Sequence, residues 1–542
     1  MKKYIKTVFA PAVALMLGMA STSCVNDLDK EPISPKIDLE VNNDGLLNKC
    51  YANFGINGNG SGSNSDDDCD VKGFSDNGMT GLVRAMWCLN ELPTDEATCN
   101  WGDGLQELNS AKFDPSHPWM KLYFTRLTLG ITFCNQYLEV AGGEDATKTA
   151  ECRFLRAMQY YLLMDAYGNV PFSESMGKPE QKSRKDMYEW LVNELTEIEP
   201  NLSAPQAKTS AQAGYGRVDK AACWMLLARL YLNAEAYTGK AEWSKAKDYA
   251  KKVMTSGYEL NMNGKGKWSA YQMLFMADNG ETNAAKECLF PIIQNTEKVV
   301  SYGNSFFLTA STFNGDMHAN SDDLDGTNGC VSAQWAGNRA RPELIKKFFP
   351  NSTAPEVPSY EMTTAAKDDR AIFCGEKRNS VDINNYTEFK DGYGVCKFIN
   401  YFATDGKSSY NPAFSDADYF FLRVAEAYLT YAEADARLNG NNTTADGTEA
   451  INKLRKRANA TTREGSYSLN EICDEWSREF YFEGIRRTTL VRFNRFGGNT
   501  DYTWQWKGGE KAGKSFDATK NIFAIPVNEL QSNGNLKQNP GY

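Results

Sequence analysis

A chain of 542 residues with 42% hydrophobic content is long enough to bury one large core or two ordinary ones. Its 59 Lys and Arg face 69 Asp and Glu, a formal net charge of −10, which excludes the basic face that nucleic-acid binding needs. Only two histidines are present, His117 and His318, so acid–base chemistry built on imidazole is poorly supplied.

The N-terminus carries the first signal. Lys2, Lys3 and Lys6 precede an apolar run from Val8 to Ala20, and Ser21, Thr22 and Ser23 lead into Cys24. A basic start, a short apolar stretch and small residues before the cleavage point read as a secretory signal peptide over residues 1–23. The run is shorter than the ~20 residues a membrane-spanning helix needs. A cysteine placed directly after small residues resembles a lipobox and makes Cys24 the expected lipidation site. Acyl chains there would anchor the chain, at roughly 0.8 kcal/mol per buried CH₂. Residues 24–40 carry Asp27, Asp29, Glu31, Pro32 and Pro35 and read as an acidic, extended tether. An acidic stretch at this point resembles the signal that sends lipoproteins to the outer face of the cell. Residues 41–542 are expected to form a single domain.

Beyond Cys24 there are twelve cysteines, an even number that permits disulfides in an exported chain. No CxxC pair or zinc spacing occurs among them. Cys134, Cys152 and Cys223 sit in helical, apolar contexts, where a small buried hydrophobe is the expected role.

Helical periodicity dominates the rest of the chain. Helices are predicted at Glu151–Tyr167 and Asp186–Glu199. Trp224, Leu227, Ala228, Tyr231 and Leu232 then fall at i, i+3, i+4, i+7 and i+8, one stripe of a helix. A turn at Thr238-Gly239 leads to Trp243, Ala246, Ala250 and Val253 at the same spacing, a hairpin of tetratricopeptide type. Further helices are predicted at Tyr419–Leu438 and Leu469–Thr489. Such hairpins bury their faces by stacking, so both halves of the chain should contribute to one scaffold. Long irregular segments separate the helices at 57–81, 303–338 and 350–415. Function is expected on these loops. The fold class is therefore mainly α: a tetratricopeptide-like hairpin scaffold with long irregular loops and few short strands.

Several ordered blocks resemble the SusD/RagB family of outer-membrane nutrient-binding lipoproteins. They begin with Arg153-Phe-Leu-Arg156 and Tyr167-Gly-Asn-Val-Pro171-Phe, followed by Tyr215-Gly-Arg217-Val-Asp-Lys and Leu227-Ala-Arg229-Leu-Tyr231. Next come Leu422-Arg423-Val-Ala-Glu426 and Ile451-Asn-Lys-Leu-Arg455-Lys-Arg457. The most specific block is Glu475-Trp-Ser-Arg478-Glu479-Phe-Tyr-Phe-Glu483-Gly-Ile-Arg486-Arg487, and Gln538-Asn-Pro-Gly-Tyr542 closes the pattern. Asn26-Asp-Leu-Asp29, Asn90-Glu-Leu-Pro-Thr-Asp-Glu96, Leu274-Phe-Met-Ala-Asp278-Asn279 and Trp506-Lys-Gly-Gly509 bring it nearest to the starch-binding type. The resemblance implies a non-catalytic protein on the cell outer membrane. It would hold oligosaccharides, starch-like ones above all, and pass them to a SusC-like TonB-dependent transporter.

Aromatic rings suit this task because the apolar C–H face of a pyranose stacks on a π face. A curved glucan is better met by an arc of rings than by one deep pocket. By resemblance, the two tryptophans of that arc fall on Trp101 and Trp335, the tyrosine on Tyr302 and the adjacent arginine on Arg84. The chain departs from the type in the extended loop from His318 to Gly329. It also departs at Gly104, where the type has a contacting asparagine and Asp103 or Gln106 would have to substitute.

Acidic clusters at Asp66-Asp-Asp-Cys-Asp70 and Asp322-Asp-Leu-Asp325 resemble fragments of calcium loops but lack a distal glutamate, so solvated loops are expected. Asp416 and Asp418 precede a predicted helix, where capping is the plain role. By resemblance they would instead join Asp278 at a structural calcium site. No cofactor is required for binding. The charged stretch Arg478–Arg492 reads as an ion-pair-laced structural helix.

Two other functions compete. A glycoside hydrolase needs a framed pair of carboxylates, and no recognised motif frames one. A peptide- or other nutrient-binding lipoprotein of the same family gains if Trp101, Tyr302 and Trp335 do not converge.

Overall fold

Local sequence sets the helix ends of the scaffold in a computed structural model that describes residues 42–58, 69–74, 77–322, 327–406 and 412–542. The signal peptide, Cys24, the 24–40 tether, Asp66, Asp67, Asp68, Asp323 and Asp325 lie outside those residues. The principal elements are α1 (Asn43–Gly55), α2 (Leu82–Glu91), β1 (Ala97–Cys99), α3 (Pro118–Ala141), α4 (Ala146–Tyr167), α5 (Arg184–Ile198), α6 (Lys220–Leu232) and α7 (Trp243–Met254). They continue with β2 (Cys288–Ile292), α8 (Ser305–Ala310), β3 (Asn338–Ala340), β4 (Tyr419–Arg423), α9 (Val424–Leu438), α10 (Ala445–Arg457), α11 (Leu469–Phe480) and α12 (Arg486–Arg492).

Capping side chains start these helices where their free N–H groups need acceptors. The Asp145 carboxylate accepts from the Thr147 and Lys148 N–H groups at α4, and Asp219 accepts from Ala221 and Ala222 at α6. Ser468 and Glu471 form a reciprocal capping box at α11. The predicted hairpin is α6 and α7, and α7 packs on both α6 and α9. Ala246, Ala250 and Val253 are fully buried on α7, as are Ala425, Ala432 and Ala436 on α9. These small side chains let the helix axes approach closely. The scaffold thus joins both halves of the chain. Strands are short: four two-stranded antiparallel pairs occur among the described residues. No helix among those residues is long and apolar enough to cross a membrane.

Two predicted helices differ in detail. Tyr419–Arg423 is a strand, β4, paired with β2, and the helix begins only at Val424. A short apolar run carries no period that separates strand from helix. Asp416 and Asp418 therefore precede a strand and cap no helix. The Leu469–Thr489 helix breaks after Phe480. Phe482 adopts φ 64 there, and its carbonyl accepts the Trp87 indole N–H at 3.1 Å.

The charged stretch 478–492 is structural, and it is buried rather than solvated. The Glu479 carboxylate meets the guanidinium groups of Arg423, Arg370 and Arg457. Glu475 meets Arg370, Arg455 and Arg478, and Glu483 meets Arg423 and Lys397. Burial alone would push the Glu479 carboxyl up, but its three arginines outweigh burial and hold it at about 2. All twelve cysteines from Cys50 to Cys473 are buried free thiols.

Candidate functional site

A two-stranded ladder assembles the aromatic site. β1 pairs antiparallel with β3, with Cys99 opposite Asn338. Trp101 lies two residues beyond β1 and Trp335 three residues before β3, so the ladder brings both rings to one end. Their centroids are 6.0 Å apart and nearly edge to face. The Trp335 N–H donates to the Ala310 carbonyl at 2.7 Å, which seats its loop on α8. A Cβ on Gly337 would lie 2.3 Å from the Trp101 ring, so a residue without a side chain is what lets that ring lie against the 335–337 backbone.

The arc continues through α8. Phe306 stands 5.0 Å from Trp335 and 5.0 Å from Tyr302, edge to face in both cases. Tyr302 stands 5.0 Å from Phe414. Trp101, Tyr302, Trp335 and Phe414 are half-buried, whereas Phe306 is buried behind them. The three rings assigned from sequence therefore converge on one face. Phe306 and Phe414 were missed. Phe306 carried no signal, because it lies in the 303–338 segment read as irregular and only the structure shows the short helix α8 there. Phe414 had none beyond its aromatic character.

Arg84 sits behind this face on α2. Its guanidinium lies 5.6 Å from the Trp335 ring centre and 4.9 Å from that of Phe307, within cation–π range. The Arg84 N–H donates to the Gly303 carbonyl at 2.9 Å, tying α2 to the Tyr302 loop. The side chain is buried, so it supports the rings from beneath.

Gly104 has a local cause. Its φ is 85, a left-handed conformation that favours glycine, and its carbonyl is 2.9 Å from His117 Nε2. A Cβ there would meet His117 Nε2 at 3.0 Å and Pro118 Cγ at 3.3 Å. The space an asparagine would use is occupied. Asp103 is exposed, while Gln106 is half-buried with its amide 3.5 Å from the Asn100 carbonyl.

The acidic set lies elsewhere. The Asp278 carboxylate accepts from the Ala403 and Thr404 N–H groups and the Thr404 hydroxyl. Asp418 accepts from the Gln294 N–H at 2.8 Å and the Tyr215 hydroxyl at 2.6 Å, and Asp416 accepts from the Thr296 N–H at 2.7 Å. Asp416, Asp418 and Glu281 line a cavity of about 260 Å³ with Gln294. Burial, with Asp416 and Glu281 beside it, pushes Asp418 up to about 7. Burial, Asp278 and Asp416 raise Glu281 likewise. Mutually repelling carboxylates around a small polar cavity are the donor chemistry of a hard cation. Their oxygens do not converge on one point, however. Among the described residues, only Cys50, Cys134 and Cys152 bring three such ligand atoms within 4.8 Å of one another.

Of the two acidic loops, Asp70 lies 3.6 Å from the buried Arg126, and Asp322 is exposed beside Lys267 at 3.7 Å.

Comparison with known proteins agrees with this architecture. The model of the SusD family matches residues 365–542. The starch-binding protein SusD of Bacteroides thetaiotaomicron is 37% identical over 579 aligned residues, covering 100% of this chain and 99% of the relative. Among solved structures, a SusD superfamily protein from Parabacteroides distasonis superposes with a TM-score of 0.64 at 19% identity, covering 92% of this chain and 98% of its own. Surface glycan-binding protein A from Bacteroides thetaiotaomicron, solved with laminarihexaose, superposes with a TM-score of 0.62 at 19% identity over 92% and 98%. The helical scaffold, the order of the sequence blocks and the full-length identity lead to one conclusion: this chain belongs to the SusD family.

Proposed function

We propose that this protein is a non-catalytic, lipid-anchored outer-membrane protein that captures starch-like malto-oligosaccharides and passes them to a SusC-like TonB-dependent transporter. The observation that carries this reading is the arc Trp101–Trp335–Tyr302, half-buried on one face and backed by Phe306 and Arg84. The 37% identity to a starch-binding relative supports the ligand class. The convergence of the rings weighs against the peptide-binding alternative. Cys24 is the anchor in this reading. Asp278, Asp416 and Asp418 are the residues that would hold a calcium ion, which would have to draw together oxygens that stand apart here. The ion's part is structural, and glycan binding rests on the rings.

Calorimetry with maltoheptaose and with laminarihexaose tests the proposal. Malto-oligosaccharide binding worth ~4–8 kcal/mol is expected, with no reducing sugar released. Trp101→Ala should abolish it at an unchanged melting temperature. Binding of laminarihexaose alone would reassign the glycan, and unchanged binding in Trp101→Ala would sink the arc.

A further inference from the structure

Three thiols from three helices meet in the interior. Cys50 on α1, Cys134 on α3 and Cys152 on α4 are fully buried, with their sulfurs within 4.8 Å of one another. The Cys50 and Cys152 sulfurs are 4.0 Å apart. Sulfurs each about 2.3 Å from a shared ion stand about 3.8–4.0 Å apart, for tetrahedral or trigonal geometry. The Cys50–Cys152 separation is that of thiolates around a common centre, and the Cys134 sulfur lies within 4.8 Å of both.

The surroundings match that geometry. Gln159 donates an amide N–H to the Cys134 sulfur at 3.7 Å and another to the Leu155 carbonyl at 3.1 Å. Its oxygen accepts from the Asn53 amide at 2.8 Å, which fixes the direction in which it points its N–H groups. Such an oriented donor stabilises sulfur-borne charge from a second layer.

We propose that Cys50, Cys134 and Cys152 form a three-thiolate site for a soft, thiophilic metal cation, which staples α1 to the α3–α4 hairpin. A divalent ion binding three thiols expels three protons and leaves a complex of one net negative charge. Linear spacing conceals the site because each ligand comes from a different helix.

The full chain, reduced, unfolded and refolded with Cd²⁺ and then desalted, tests this, since refolding admits the ion before the helices seal. One Cd²⁺ per chain is expected, with a thiolate-to-cadmium charge-transfer band, three protons released per ion and a raised melting temperature. Cys152→Ser should lose the metal and the band, while Cys88→Ser, a buried thiol outside the trio, should keep both. The wild-type titration stands alone if Cys152→Ser does not fold: no retained metal and no band overturn the proposal. So does metal held equally by Cys152→Ser, or a disulfide between two of the three in protein isolated without reductant.

Discussion

The helical frame and the loop face treat charge in opposite ways. In the frame, Arg370, Arg423, Arg457, Glu475 and Glu479 are buried together, and each carboxylate meets arginines on more than one side. On the loop side, burial with Asp416 and Glu281 raises the proton affinity of Asp418, and burial with Asp278 and Asp416 raises that of Glu281, around a small cavity. The first cluster closes its charges internally and holds helices together. The second leaves charge unbalanced, which invites a partner from solution. The same contrast separates the aromatics: Trp87 and Trp119 are sealed in the core, while Trp101 and Trp335 keep part of their rings at the surface.

The strongest way to break that comparison is Glu479→Ala. It leaves Arg370, Arg423 and Arg457 buried without their shared carboxylate, and removing one partner of a buried pair costs about 3–5 kcal/mol. Urea unfolding should show that loss. A change under 1 kcal/mol, on the ~0–1 kcal/mol scale of surface pairs, would mean the network is solvated after all.

The next effect concerns pH. Asp418 titrates near 7 in the folded chain and near its ordinary 3.8 when unfolded. The folded state therefore holds the extra proton between about pH 4 and 7, and stability falls as pH rises through that window. At about 1.36 kcal/mol per unit the fall is of order 4 kcal/mol. Asp418→Asn should flatten this part of the curve in chelator, and Ca²⁺ should offset it in the wild type at the upper end. An equal slope in the variant would remove Asp418 as the cause.

The smallest effect is Gly337→Ala. The new methyl displaces the Trp101 ring, and overpacking of this kind costs about 1–3 kcal/mol. A several-fold weaker affinity for malto-oligosaccharides, with Trp101 fluorescence shifted, should be measurable. Unchanged affinity would show that the arc tolerates a shifted ring.

The α6–α7 hairpin was legible because its stripes repeat over many residues. The first residues of the α9 segment were not, since Tyr419–Arg423 is too short to show a period and takes its form from pairing with β2. The break after Phe480 was equally hidden, because the Phe482 carbonyl answers to Trp87, 395 residues away. Trp101, Trp335 and Tyr302 could be named from blocks that resemble a family, but their convergence depends on β1 meeting β3. Phe414 meets Tyr302 across more than a hundred residues of chain, a contact no local pattern announces.

The pairing of β1 with β3 also carries a kinetic meaning. It closes a loop of more than two hundred residues, from Cys99 to Asn338, and contacts of such separation form slowly because closure entropy precedes their reward. Closing that loop should be among the slower steps that bring the two tryptophans together. A fragment ending before Trp335 can hold helices yet present no arc. Recovery of oligosaccharide binding during refolding should accordingly lag behind recovery of helical signal, making the ligand a reporter of completed assembly.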